Sequence, residues 1–213
     1  MITLYGYWRS SAAYRVRIAL NLKQLEFQQE FVHLVKGGGE QHSKEYAELN
    51  PAHLVPTLID GDFTLNQSLA IIDYLDEQYP NTSLYPADLK QKATSKALVL
   101  DIACEIHPIN NLRVQQYLST ELQANDQQRL AWMNHWMGIG FSALESRLAQ
   151  TSGKYCVKDD ITVADLCLVP QVYNAKRFNI DMSAFTNINR IVDNCNQLQA
   201  FIDALPENQP DAV

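Results

Sequence analysis

A change of hydrophobic period at Pro86 constrains this chain more than any other feature. From Asp88 onward almost every window repeats its apolar residues at three- and four-residue spacing, and only Gly138, Gly140 and Gly153 interrupt before residue 206. A helix with an apolar stripe must bury it against another element, so residues 88–213 are expected to form an all-helical domain. Before the change, short β-prone runs alternate with helical periods. Residues 1–80 are therefore expected to fold as a separate α/β domain, joined through a linker at 81–87.

Within the first 80 residues, Ile2–Tyr5 reads as a strand, and Ser10-Ser11 caps a helix whose apolar positions include Ala12, Val16, Ala19 and Leu20. Phe27–His33 is a second strand running into Gly37-Gly38-Gly39, which reads as a mobile loop. Ser43–Leu49 is a short helix stopped by Asn50-Pro51. Thr57–Asp60 and Phe63–Leu65 flank Gly61-Asp62 as a hairpin, and Ser68–Tyr79 closes the domain as a helix ended by Pro80. The order is βαβαββα, helices on a small mixed sheet. In the helical half, Thr162-Val163-Ala164-Asp165 is a capping box, a folding signal without chemistry.

Charge and composition exclude several classes of function. Seventeen Lys and Arg against 24 Asp and Glu leave a net charge of −7, and neither half carries the basic excess of a nucleic-acid or anionic-membrane binder. Arg9, Arg15 and Arg17 interrupt the first twenty residues before any apolar run reaches signal-peptide length, and a cytoplasmic protein is expected. Cys104, Cys156, Cys167 and Cys195 have no C-x-x-C spacing and read as structural thiols. The five histidines are not spaced as metal ligands, and no metal is expected. Phosphate-loop, serine-hydrolase, zinc-protease and EF-hand signatures are missing.

Three features of the first domain converge on ligand chemistry, although each has a plain structural reading as well. Arg9, Ser10 and Ser11 bring a cation, two hydroxyls and main-chain N–H groups to a helix start, where an anion is favoured; alone, this is a cap. Val55-Pro56 precedes a strand, where a cis proline would turn the Val55 N–H and C=O outward to pair with an extended peptide; alone, it is a strand-opening proline. Gln67 and Ser68 offer a hydroxyl and free N–H groups to a carboxylate; alone, this too is a cap.

In this order, within βαβαββα followed by a helical domain, the three describe a thioredoxin-like glutathione site. The chain resembles the zeta-class glutathione transferases, which include the maleylacetoacetate and maleylpyruvate isomerases. The resemblance is carried by Ser10-Ser11-Ala12-Ala13-Tyr14-Arg15-Val16-Arg17-Ile18-Ala19-Leu20, where the family usually has Cys at the position of Ala12. It continues through Leu49-Asn50-Pro51, Val55-Pro56-Thr57-Leu58, Gln67-Ser68-Leu69-Ala70-Ile71-Ile72 and Ala164–Val172, and so spans essentially the whole chain.

The resemblance implies the glutathione transferase fold, glutathione as cofactor, a small maleyl dicarboxylate as substrate and a homodimer. Turning a cis double bond requires that it become single for a moment, which a thiolate achieves by adding to one alkene carbon and leaving again. Ser10, with Ser11 second, is implied as the group that stabilises the thiolate. Arg9 and Arg177 are implied as the cations that grip the dicarboxylate, with Arg113 a third. Gln41, Val55, Gln67, Ser68, His107, Asn111 and Arg113 are implied as glutathione contacts, and His107 also as a group near the reacting carbons. The expected reaction is maleylacetoacetate to fumarylacetoacetate in tyrosine and phenylalanine breakdown. His107-Pro108-Ile109-Asn110-Asn111 resembles the maleylpyruvate branch, so that substrate stays open, as do conjugation of small electrophiles and a non-enzymatic binding module.

Overall fold

The computed structural model describes residues 1–213, which divide into two compact units: Met1–Leu84 with Asn196–Val213, and Tyr85–Cys195. In the first unit the elements are β1 (Ile2–Gly6), α1 (Ser11–Leu22), β2 (Phe27–Phe31), α2 (Lys44–Leu49), β3 (Thr57–Asp60), β4 (Phe63–Asn66) and α3 (Ser68–Gln78). The sheet has the order β2-β1-β3-β4, with β1 parallel to β2 and the other pairs antiparallel. Two features of the chain set this arrangement. A helix crossover is needed between the parallel strands, whereas Gly61, at φ 63°, permits the tight hairpin between β3 and β4.

β1 alternates buried Ile2, Leu4 and Gly6 with partly exposed Thr3 and Tyr5, the period-two pattern of a strand covered on one face. The Ser10 side chain accepts from Ala13 N and caps α1, which is buried almost all round, Arg15 and Arg17 included. Leu4, Ile18, Leu20, Leu58, Ile71, Ile72 and Leu75 form the centre of this unit. Gly37, Gly38 and Gly39 all have positive φ and form one side of two consecutive 3-10 turns, with Gly39 N donating to Lys36 O.

The second unit contains α4 (Leu89–Leu100), α5 (Leu112–Thr120), α6 (Asp126–Thr151), α7 (Val163–Arg177) and α8 (Thr186–Cys195). α6 buries Met133, Met137, Phe141, Leu144 and Leu148, a stripe at helical spacing. α7 is buried from Val163 to Val172 and begins at the expected capping box, Thr162 with Asp165. The Asp165 carboxylate accepts from Cys156 N and Thr162 N, both at 2.9 Å; burial raises its pKa despite these hydrogen bonds, which act in the opposite sense. Cys156, Cys167 and Cys195 are buried, whereas Cys104 is exposed, unlike the filler role expected of all four.

Within the stretch 88–213 expected to be helical, Asn196–Val213 packs with the sheet unit. The physical reason is a set of hydrogen bonds between side chains and the main chain. Arg17 donates to Ala204 O, Asn21 to Ala200 O, and Trp8 N to the Asp211 carboxylate. α9 (Gln199–Asp203) is the α-helix of this tail, followed by a 3-10 turn at Pro206–Asn208. No helix is long and apolar enough to cross a membrane.

Candidate active site

The strand register collects four loops at one end of the sheet. Tyr5 stands opposite Thr57, Thr57 opposite Asn66, and Gly6 beside Phe31. The segments after β1, β2 and β4 and the segment before β3 therefore leave from the same end. They carry Arg9 and Ser10, Gln41, Gln67 and Ser68, and Val55. In a sheet of this type, that end is where a ligand finds main-chain groups not already spent on the ladder.

At the start of α1, Ser10 Oγ lies 3.2 Å from Ala13 N and accepts its hydrogen, so the hydroxyl proton remains a donor. Ser11 is buried in the first turn. The Arg9 guanidinium stacks over Trp8 at 4.5 Å and donates to Tyr7 Oη at 2.9 Å, which aims it while leaving its charge uncompensated by any carboxylate. Gly6 lies beneath this turn, where an added Cβ would stand 3.3 Å from that of Ala13.

Val55-Pro56 is a cis peptide bond, and the Val55 N–H and C=O enter no hydrogen bond within the chain. The preceding residue is fixed instead: Leu54 O accepts from Tyr46 Oη at 2.7 Å and from the buried Asn50 side-chain amide at 2.8 Å. Burial pushes the Tyr46 phenol up, so it stays a neutral donor through the physiological range. Gln41 is buried, with its amide nitrogen on Leu34 O at 3.3 Å and its Oε1 without a partner.

At the start of α3 the cap expected from sequence is absent. Gln67 occupies the N-cap position at φ 68° and ψ 112°, with no side-chain hydrogen bond to the helix. The first intrahelical bond there is Ile71 N to Gln67 O, so the N–H groups of Ser68, Leu69 and Ala70 have no helical acceptor. Ser68 Oγ is turned to Arg15, whose Nη1 lies 3.4 Å away. A non-glycine residue held at positive φ is strained, and such strain clusters at ligand sites.

In the helical unit, α4 continues into a π-turn, Asp101–Ile106, before His107. His107 N donates to Ile102 O, the five-residue step that defines that turn. Asn111 caps α5 by accepting from Arg113 N at 3.1 Å, and the Arg113 side chain is exposed. Arg177 ends α7, exposed, with its guanidinium 4.4 Å from the Phe178 ring. His107, Asn111, Arg113 and Arg177 thus all stand at helix ends or turns.

Residues 4–83 match the glutathione S-transferase N-terminal domain, and residues 111–209 match the glutathione S-transferase C-terminal domain. The chain belongs to the glutathione S-transferase family. It is 54% identical over 211 residues to the probable maleylacetoacetate isomerase of Vibrio cholerae, covering 99% of this chain and 98% of that one. Among solved structures it is similar to a maleylpyruvate isomerase described as a bacterial zeta-class glutathione S-transferase, with TM-score 0.96, 41% identity and coverage of 99% and 100%. It is also similar to a maleylacetoacetate isomerase from Methylobacterium extorquens with bound malonate and glutathione, with TM-score 0.95, 36% identity and 99% of both chains covered.

Sequence reasoning missed two features of this glutathione S-transferase. One is the strained backbone at Gln67, for which glutamine gives no signal. The other is the burial of Arg15, which is 2% exposed. A signal for the second did exist: Arg15 and Arg17 flank Val16 in a helix with no polar face left to hold them.

Proposed function

We propose that this protein is a glutathione-dependent cis-trans isomerase that converts maleylacetoacetate to fumarylacetoacetate. The observation that carries the reading is the set of unspent groups at one end of the sheet: the Ser10 hydroxyl proton, the Val55 N–H and C=O, and the three free N–H groups opening α3. These fit a short extended peptide with a thiol near its middle and a carboxylate at its end. The orphaned Oε1 of buried Gln41 fits the same ligand, since it can accept from a peptide N–H.

Glutathione, when bound, supplies a thiolate that adds to one alkene carbon of the substrate and leaves after rotation, and so is recovered unchanged. The protein's part is to hold the charges. Ser10 donates a hydrogen bond to sulfur at the positive end of α1, and Val55 pairs with the cysteinyl main chain. Gln67 and Ser68 hold a carboxylate at the positive end of α3. Arg9 supplies a cation to the substrate at the α1 end, already oriented by Trp8 and Tyr7. Arg177 is assigned the other substrate carboxylate, and His107, Asn111 and Arg113 are assigned as further ligand contacts. Ala12 removes any thiol of the protein's own from the turn, so the seryl route stands alone.

A homodimer and a cytoplasmic location belong to the same proposal. Maleylpyruvate is the second reading, favoured by His107 at the head of its Pro-Ile-Asn-Asn run and by likeness to a maleylpyruvate isomerase. A spectrophotometric assay of both maleyl compounds, with and without glutathione, tests the reading. Turnover of neither, or turnover that does not need glutathione, would overturn it.

A further inference from the structure

Among the buried cations of the sheet unit, one keeps buried donors without partners and has no counter-charge. Arg17 uses its guanidinium on Ala204 O at 3.2 Å and Trp8 O at 3.0 Å, and Lys23 is paired with Asp76 and bonded to Thr82 O. Arg15 is buried to the same degree as Arg17, yet its only hydrogen bond is the 3.4 Å contact from Nη1 to Ser68 Oγ. Its Nε and Nη2 are buried without a partner, and no carboxylate lies within ion-pair distance. A buried charge is expensive unless it is paired, so a chain that keeps one unpaired is incomplete until an anion arrives.

The place where that anion would sit is marked from the other side. Ser68, which Arg15 touches, is the first residue of α3, an 11-residue helix with no side-chain cap and three free N–H groups. Both the helix dipole and the guanidinium place positive potential at this one serine. Glutathione has two carboxylates, and the γ-glutamyl one carries an ammonium beside it. The neighbouring Gln67 is exposed and has an amide oxygen able to accept from that ammonium, whereas the glycyl carboxylate would leave it unused.

We infer that Arg15 is a positioning residue for glutathione, acting through Ser68 as the buried counter-charge of the γ-glutamyl carboxylate. The inference rests on the glutathione reading given above and extends it to a residue that never needs to face solvent. It has an unusual corollary for stability. In the ligand-free protein Arg15 is a buried charge without compensation, so an apolar replacement of similar length relieves a desolvation penalty while removing the counter-charge.

The test measures binding by calorimetry for wild type and Arg15→Met, with three ligands: glutathione, γ-aminobutyryl-cysteinyl-glycine, which lacks the γ-glutamyl carboxylate, and glutathione amidated at its glycyl carboxylate. Arg15→Met is expected to weaken glutathione and the glycyl amide at least tenfold, about 1.4 kcal/mol, and to leave the carboxylate-lacking analogue within twofold. The melting temperature of the ligand-free variant is expected to equal or exceed that of wild type. Equal weakening of all three ligands, or no weakening of glutathione, overturns the proposal. Wild type that binds none of the three overturns the underlying glutathione reading instead. Should Arg15→Met not fold, Arg15→Lys carries the test, because it keeps the charge. Its preference for glutathione over the carboxylate-lacking analogue should stay within threefold of wild type, and loss of that preference with the charge in place overturns the proposal.

Discussion

Ser10 serves as helix cap and as hydroxyl donor, and its replacement by alanine separates the two roles by their magnitudes. The cap is the 3.2 Å hydrogen bond from Ala13 N, and losing a serine cap costs about 1 kcal/mol, within a range of roughly 0.5–2. For a chain of this size that is a fall in melting temperature of about 2–4 °C. The donor role concerns a different quantity. A hydrogen bond to a charged acceptor contributes about 1.5–3 kcal/mol, and each pKa unit corresponds to about 1.36, so the thiol of bound glutathione should titrate roughly 1–2 units higher in Ser10→Ala.

The ultraviolet absorbance of the thiolate, followed against pH with glutathione saturating, reads the second effect without turnover. Thermal unfolding of the ligand-free protein reads the first. Ser10→Thr retains a hydroxyl and should preserve most of both, and Ser11→Ala is the control, since Ser11 lies one residue into the helix and is not its cap. A Ser10→Ala protein that melts lower yet titrates like wild type would show Ser10 to be a cap and nothing more. A shift confined to Ser11→Ala would move the donor role to the second serine.

Arg177→Ala should lower kcat/KM for the maleyl substrate by tenfold or more while glutathione affinity holds, as steady-state kinetics beside calorimetry will show; unchanged kinetics would remove Arg177 from the site. Tyr79 donates to Asp60 at 2.6 Å, and this hydrogen bond to a carboxylate, first among the causes, raises its phenol to about 12. A pKa raised in the folded state contributes stability present below the ordinary tyrosine value near 10 and lost as pH climbs from there to about 12. Asp60→Asn should therefore flatten the alkaline limb of the stability profile and bring the late phenolate absorbance change down toward 10. Gly140→Ala would set a methyl against Ile106 Cγ1 and 2.5 Å from its Cδ1, so it should destabilise by about 1–3 kcal/mol, and Ile106→Ala in that background should restore part of the loss in denaturant unfolding.

Where local chemistry decides the structure, the sequence was a good guide. The βαβαββα order follows from apolar period and turn residues, and the Thr162–Asp165 box and the Ser10 cap are local hydrogen bonds that any chain with those residues can make. Legibility failed where a distant segment decides. Ser68 reads as a cap, but α3 begins one residue after a glutamine held at φ 68°, a conformation for which glutamine has no preference, and the helix start is left open. Helical period alone does not say whether Arg15 and Arg17 meet water; α3 and the returning tail pack on α1, and both arginines are buried. The packing of Asn196–Val213 with the sheet unit was not legible for the same reason, because helical period says nothing about which core a helix joins.

That returning tail bears directly on the site. Trp8 precedes Arg9 and Ser10, and both of its main-chain polar groups are held from outside the loop: its N–H by the Asp211 carboxylate at 3.0 Å, its C=O by Arg17 Nη2 at 3.0 Å. Arg17 in turn donates to Ala204 O, and Ala212 packs against the cluster of Tyr7, Trp8, Val32, Tyr46 and Val55. A loop fixed at one residue on both sides has little conformational freedom left at the next two, and a donor and a cation act on a ligand only if they need no reordering when it arrives. The two buried arginines of α1 therefore divide the work. Arg17, fully engaged, ties the end of the chain to the turn that presents Ser10. Arg15, left without a counter-charge two residues earlier, keeps the neighbouring helix start electropositive for the ligand that this turn is built to receive.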